Sequence, residues 1–341
     1  MKSTITIKDV ATHVGFSVGT VSMALNNSEK IKPSTRAIIQ QAAEELGFRK
    51  NPFGRSLSTQ SSGLVGCIIP DLTNNFYGEI IYHLQEEFNK AGYGIVVGCS
   101  NEKSVTENDL IQRFIDKGVD GIITVPVSDP DVKLENIKDL VEKGYPIVFI
   151  SSYYSEIPRY TVMCDLAEGM YQLTKLLIDQ GHKNIIIVTG RKGHSPTDER
   201  LTGFNRALKE KGITLDPSCY IESSKQTFLG AYSAINDVYL EKRPDLVVAI
   251  NDIMAMGIIS SLKTQNLRIP EDVSVTGFDD IAISAFQETP LTTVSQSIKE
   301  MCSKATKLML ERMEGKAEDI GVIKVTPHVV ERRSTKNLKE N

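Results

Sequence analysis

A short segment near the N-terminus carries small polar and apolar side chains in a pattern that suits contact with nucleic acid. The helical repeat places them on the outward face of one short predicted helix. They are Ser17, Val18, Gly19, Ser22, Met23 and Asn26. Short hydroxyl side chains suit phosphate oxygens, and the first turn of a helix in the major groove meets base edges. The pattern therefore predicts DNA binding, with a helical hairpin for protein contact as the alternative.

Local capping signals position this predicted helix. Thr6 and Asp9 form a capping box, which predicts a first helix from Ile7 to about Val14. Gly15 can adopt the left-handed conformation that ends a helix. Ser17 then caps the second helix, which we expect to end at about Asn26.

A third helix completes the predicted N-terminal head. Pro33 suits its first turn and Gly47 its end, so the helix runs to about Leu46. Apolar residues at helical spacing predict the core of this head. They are Val10, Ala11, Val14, Val21, Leu25, Ile38, Ile39, Ala42 and Leu46.

Charge is distributed unevenly along the chain. The whole sequence carries a formal charge of -4, whereas residues 1–60 hold eight basic and four acidic residues. A basic head on an acidic body is typical of a DNA-binding regulator. An ordinary solvated surface can give the same uneven distribution of charge.

A second group of polar residues follows the strands predicted in the body of the chain. Ser151, Asn251 and Asp279 each come directly after an apolar run or within two residues of one. In open parallel sheets, ligands bind at the carboxyl ends of the strands. Arg200 lies near the start of a predicted helix, where the helix dipole disfavours a cation, so a ligand-facing role explains its position.

Apolar runs alternate with helical patterns in two successive sets, which predicts two similar α/β lobes. The predicted strands are 64–69, 95–98, 121–125 and 147–150 in the first set, and 184–189, 246–250 and 273–277 in the second. Helices are predicted over 76–91, 165–180, 200–211 and 253–265.

The sequence of a short segment between head and body predicts a helix that is stable only in contact with a partner. Asn51-Pro52 is a compact helix start, but about two turns with Gly54 inside are marginal alone. We expect this segment to fold only when docked; a plain linker is the alternative.

Several function classes are disfavoured. The five cysteines are widely spaced, so neither a disulfide framework nor a metal site is expected, and no cofactor is expected. No phosphate-binding glycine loop, dinucleotide motif or nucleophile elbow is present, which argues against an enzyme. The N-terminus lacks an apolar stretch and no long apolar run follows, so we expect a cytoplasmic protein that does not span a membrane.

The chain resembles the LacI/GalR family of bacterial transcription regulators. The matching residues are Thr6-Ile-Lys-Asp-Val-Ala11, Gly15, Ser17, Thr20-Val-Ser22, Ala24-Leu-Asn26, Lys32-Pro-Ser-Thr-Arg36, Leu46-Gly-Phe48, Asn51, Arg55-Ser-Leu57, Val65-Gly-Cys-Ile-Ile-Pro-Asp71 and Val330-Glu-Arg-Arg-Ser-Thr335. The resemblance implies a three-helix helix-turn-helix head with a hinge helix, joined to a two-lobed α/β effector core of parallel sheets that is similar to periplasmic binding proteins.

The resemblance also implies site residues. The DNA-binding set is the helix face above together with Thr6, Thr20, Asn51, Arg55 and Leu57, with Leu57 wedged between base steps in the minor groove. The effector-binding set is Phe76, Tyr77, Ser151, Arg200, Asn251 and Asp279, in which Phe76 or Tyr77 supplies an apolar wall.

This sequence departs from the family pattern at several positions. The family often has Arg where this chain has Met23, and Arg can bond guanine in bidentate fashion. Val18 and Gly19 also lack side-chain donors, so more of the specificity is predicted to come from phosphate contacts and DNA shape. Lys50 and Gly54 replace a usual Pro and Ala, which predicts a looser hinge.

The predicted domains are a head at residues 1–50, a hinge at 51–61 and a core at 62–335. The first lobe is expected at about 62–162 and 292–320, and the second at about 163–291 and 321–335.

The predicted function is a repressor of carbohydrate-related genes that binds a palindromic DNA operator as a homodimer, controlled by a sugar, sugar phosphate or nucleoside between the lobes. Whether the effector induces or corepresses stays open. A catabolite-control regulator with a phosphoprotein corepressor is one alternative, and a solute-binding receptor is another.

Overall fold

The structure is a computed structural model that describes residues 5–48, 61–127, 129, 133–190, 193, 195–223, 225–318 and 320–340. The chain divides into two compact units, Met1–Ser62 and Gly63–Asn341. The predicted hinge residues Asn51, Arg55 and Leu57 lie outside the described residues.

The head contains the predicted helices α1 (Ile7–Val14), α2 (Val18–Leu25) and α3 (Pro33–Glu45). The Thr6 backbone N–H donates to Asp9 Oδ2 at 2.8 Å, which is the return half of a capping box and lowers the pKa of Asp9. Gly15 has a φ of 70° and ends α1. Ser17 Oγ accepts from the Thr20 N–H at 3.1 Å and starts α2.

The core of the head consists mainly of small aliphatic side chains. They are Val10, Ala11, Val21, Ala24, Ile39, Ala42 and Ala43. The prediction that Ile38 closes this core is wrong, because its side chain is 56% exposed. Successive helical residues differ by about 100°, and α3 turns Ile39 inward instead.

The body contains two parallel sheets. The strands of the first are β1 (Leu64–Ile69), β2 (Gly94–Cys99), β3 (Gly121–Thr124), β4 (Ile147–Ile150), β5 (Thr161–Cys164) and β11 (Val322–Val325), in the order β11-β5-β4-β3-β1-β2. Those of the second are β6 (Ile185–Thr189), β7 (Tyr220–Glu222), β8 (Leu246–Ala249) and β9 (Ser274–Thr276), in the order β7-β6-β8-β9. A short antiparallel pair joins β10 (Thr293–Ser295) to β12 (His328–Val330).

Helices connect these parallel strands, as crossover connections require. They are α4 (Asn75–Lys90), α5 (Ser104–Asp116), α6 (Glu135–Glu142), α7 (Leu166–Asp179), α8 (Ser195–Glu210), α9 (Phe228–Lys242), α10 (Asp252–Thr264) and α11 (Ile298–Met313). Strands such as β4 and β8 are buried along their whole length, as expected for parallel sheets covered on both faces. The predicted fold class is confirmed.

The predicted lobe boundaries need correction. Strands β5 and β11 pair in parallel, so residues 163–164 and 322–325 belong to the first lobe rather than the second. Residues 292–295 belong to the second lobe, because Thr276 bridges to Thr292 and Asp279 to Ser295. The chain therefore crosses between the lobes near residues 165, 296 and 326. Within the described ranges, no helix is both long enough and apolar enough to cross a membrane.

Candidate functional site

A cavity of about 430 Å³ lies between the two lobes of the body. All six residues of the predicted effector set line it: Phe76, Tyr77, Ser151, Arg200, Asn251 and Asp279. Its volume lies within the range of about 300–1,000 Å³ that is usual for small-molecule sites. The structure thus brings the predicted set together, while its role in effector binding stays a prediction.

Strand ends position three of these residues. Ser151 follows β4, Asn251 follows the run that contains β8, and Asp279 comes three residues after β9. Ser151 has a φ of 68° and Asp279 a φ of 124°, values that non-glycine residues rarely adopt. Such backbone conformations persist only where the surrounding structure enforces them, and they concentrate at functional sites.

The polar centre of the cavity is an ion pair between Arg200 and Asp279. Arg200 Nη2 donates to Asp279 Oδ1 at 2.9 Å, and Gln296 Nε2 donates to the same oxygen at 2.6 Å. The guanidinium also lies 4.4 Å from the centre of the Phe278 ring. Burial raises the pKa of Asp279 above its usual value, while Arg200 and the hydrogen bond from Gln296 act in the opposite direction.

Two buried polar atoms beside this pair lack partners. Among the described residues, none hydrogen-bonds to Arg200 Nε or Gln296 Oε1. Arg200 is 6% exposed and Gln296 is 1% exposed. Buried polar atoms without partners are rare and call for an explanation. One atom is a donor and the other an acceptor, and both belong to residues that line the cavity.

Asn251 has a structural task as well as a place in the cavity wall. Its Oδ1 accepts from the Met254 N–H at 2.8 Å and caps α10. The amide nitrogen of Asn251 remains the part that can donate to a ligand.

An aromatic pair forms part of the apolar wall of the cavity. The rings of Phe76 and Tyr77 meet edge to face with centroids 5.4 Å apart. Asn74 positions them by capping α4, where its Oδ1 accepts from the Phe76 N–H at 3.1 Å. Both rings therefore stand at the first turn of a helix whose start faces the cavity.

Sequence reasoning did not find Gln296, which lies just after β10. That strand is only three residues long and gives no periodic signal. Its position follows from long-range pairing with β12, which sequence patterns do not report. Lys225, Gln226 and Glu102 also line the cavity without having been predicted.

Asp252, the residue after Asn251, stabilises the loops around the site instead of capping a helix. Its carboxylate accepts from the Ile281 N–H at 3.0 Å, from Ser284 Oγ at 2.6 Å and from Thr293 Oγ1 at 2.5 Å. Burial, reinforced by the charge of Asp279, raises the pKa of Asp252 above its usual value. Asp252 therefore ties together the loop after β9 and strand β10.

The predicted DNA-binding residues of the head lie at or near its surface. Exposed members are Thr6, Ser17, Val18, Gly19, Met23 and Asn26, whereas Thr20 and Ser22 are half-buried. Ser17 Oγ and Thr20 Oγ1 hydrogen-bond to each other at 2.9 Å. Val18 and Met23 are 42% and 38% exposed. The predicted face is thus open to a partner, and its contact with DNA stays a prediction.

Comparisons with protein families match both units. Residues 6–51 match the model described as bacterial regulatory proteins, lacI family. Residues 174–335 match the periplasmic binding protein-like domain.

Two similar proteins are named as transcriptional repressors. The HTH-type transcriptional repressor PurR of Photobacterium profundum is 31% identical over 334 residues, covering 98% of this chain and 99% of that protein. The HTH-type transcriptional repressor CytR of Escherichia coli (strain K12) is 32% identical over 335 residues, covering 98% and 97%.

Solved structures share the fold. The lac repressor dimer bound to operator and the anti-inducer ONPF has a TM-score of 0.86 at 22% identity, covering 97% of this chain and 99% of that one. A complex of the transcriptional regulator CelR with cellobiose has a TM-score of 0.72 at 24% identity, with the same coverage.

Proposed function

Because this chain belongs to the lacI family of bacterial regulatory proteins, we propose that it represses transcription as a homodimer on a palindromic operator, under the control of a small molecule in the interlobe cavity. Binding to DNA and repression are the coarse function of the family. The dimer and the palindrome follow from the two-fold symmetry that paired helix-turn-helix heads impose on their sites. The effector and its site are our inference from the cavity.

The observation that carries the effector proposal is the cavity of about 430 Å³ that has the Arg200–Asp279 pair in its wall. Within the described part of the chain, Arg200 Nε lacks an acceptor and Gln296 Oε1 lacks a donor. A hydroxyl group can both donate and accept, whereas a phosphate dianion or a carboxylate supplies only acceptors. An anion would also meet an Arg200 that Asp279 already neutralises at 2.9 Å.

We therefore favour an uncharged ring compound that carries hydroxyl groups, such as a nucleoside or a sugar, over a sugar phosphate. The Phe76–Tyr77 pair offers an apolar surface against which such a ring can pack. A ligand that bridges the lobes changes the DNA affinity only through different affinities for the two lobe arrangements.

A thermal-shift screen of the full-length protein tests this proposal. Nucleosides, free sugars and sugar phosphates are each added with and without operator DNA, the DNA having been enriched from a random duplex library by the same protein. We expect uncharged members to raise the melting temperature and sugar phosphates to leave it unchanged. A ligand that binds more tightly with DNA present is a corepressor, and one that binds less tightly is an inducer.

A matched pair of variants locates the site. Arg200→Ala removes the buried guanidinium, whereas Arg206→Ala removes an exposed one from the same helix, where it pairs with Glu168. We expect the ligand-induced shift to vanish in the first variant and to persist in the second. If Arg200→Ala binds DNA normally and still responds to the ligand, the site assignment is wrong.

A further inference from the structure

The head exposes apolar side chains around its second helix. Phe16, Val18 and Met23 are 37%, 42% and 38% exposed. The buried core of the head, in contrast, consists mainly of alanine, valine and isoleucine. At about 100° per residue, positions 18, 19, 22 and 23 share one face of α2 that spans about 140°. Val21 and Ala24 lie on the opposite face and are fully buried.

Polar groups at the start of α2 are engaged within the head. Ser17 Oγ caps the helix by accepting from the Thr20 N–H at 3.1 Å, and the two hydroxyls bond to each other at 2.9 Å. Gly19 has no side chain to offer. Val18 and Met23 are the exposed apolar residues of this face, and neither side chain can donate or accept a strong hydrogen bond, whereas Ser22 is half-buried.

We propose that Val18 and Met23 read the C5-methyl groups of thymine in the major groove, so that the operator carries thymine opposite each of them. The C5-methyl is the apolar group that base pairs display in this groove. Charge complementarity selects DNA as the occupant, because residues 1–60 have eight basic residues against four acidic ones while the whole chain is at -4. The inference rests on the proposed binding of DNA through this head.

The expected effect is modest and additive. Burying one methyl group corresponds to about a fourfold change in affinity. A two-fold symmetric complex presents each residue twice, so removing both symmetry-related methyl groups is expected to weaken binding about 15-fold.

The test begins with the operator that the full-length protein enriches from a random duplex library. Each thymidine in it is then replaced by deoxyuridine, which deletes only the methyl group, and Kd is measured at one salt concentration. We expect a loss of about fourfold per methyl at two positions in each half-site. In Met23→Ala one of these losses disappears, and in Val18→Ala the other disappears. Ile38→Ala, which alters an exposed apolar residue on α3, keeps both.

Two outcomes overturn the inference: deoxyuridine replaces every thymidine without effect, or the losses persist in both alanine variants. Met23→Arg provides an independent readout, because a bidentate donor at this position shifts the selected base from thymine to guanine; an unchanged selection contradicts the assignment of Met23. If the library yields no enriched sequence at all, the proposed DNA binding fails instead.

Discussion

Replacing Asp279 with alanine is expected to destabilise the body strongly, because it leaves Arg200 charged and buried. The two side chains are 7% and 8% exposed, and their N–O distance is 2.9 Å. Removing one partner of a buried ion pair typically costs about 3–5 kcal/mol, because the other charge loses its compensation. We therefore expect the free energy of unfolding to fall by about 3–5 kcal/mol at pH 7.

Urea-induced unfolding of the full-length protein, followed by circular dichroism without ligand or DNA, measures this loss. Asp139→Ala is the matched control, because Asp139 pairs with Lys143 on the surface with 56% and 69% exposure. Exposed pairs of this type contribute at most about 0.5 kcal/mol. Equal losses in the two variants would refute the reasoning.

A double variant separates the ion pair from simple loss of packing. Replacing Arg200 by Met together with Asp279 by Leu removes both charges while keeping apolar volume. Since buried pairs are often replaceable by apolar residues without loss, this variant is expected to regain most of the stability. A double variant as unstable as Asp279→Ala would show that packing, and not the uncompensated charge, causes the loss.

Three further predictions concern stability. Burial raises the pKa of Glu107 to about 7 from its usual 4.5, so the free energy of unfolding of the wild-type protein falls as pH rises between those values. Glu107→Gln should flatten this part of the profile of stability against pH, and an unchanged slope contradicts this prediction. Gly203→Ala places a Cβ 1.9 Å from the Ala167 carbonyl oxygen and should therefore lower the melting temperature. Gly78→Ala has open space around its Cβ and should raise the melting temperature by the equivalent of about 0.5–1 kcal/mol. Shifts of the same sign in the two variants refute the packing argument. Ser17→Ala removes the cap of α2 and should destabilise the head by about 1 kcal/mol in thermal unfolding followed by circular dichroism, which a neutral result would exclude.

Local chemistry in the sequence was enough to predict much of the fold. The Thr6–Asp9 capping box and Ser17 fixed the start of two helices, and these signals act over three residues. Uninterrupted apolar runs predicted strands such as β1 and β4, because parallel strands are buried on both faces. The rule that ligands meet strand ends then identified Ser151, Asn251 and Asp279 as neighbours.

The remainder depended on contacts between distant residues. Strands β5, β10, β11 and β12 are three or four residues long, and pairing rather than periodicity defines them. The Arg200–Asp279 ion pair joins residues 79 positions apart. The position of Arg200 near the start of its helix suggested a special role but could not identify Asp279 as its partner. Gln296 was missed for the same reason, since the strand before it gave no signal.

The pairing of β5 with β11 also bears on how the chain is made. Strand β5 ends at Cys164, and its neighbour β11 does not begin until Val322. At about 5–20 residues per second, a ribosome needs on the order of 10–30 s to cover that interval. All four strands of the second sheet are synthesised meanwhile, so the lobe encoded later can complete its sheet first. Throughout that time one edge of β5 lacks its native partner, and an unpaired strand edge can pair with another chain.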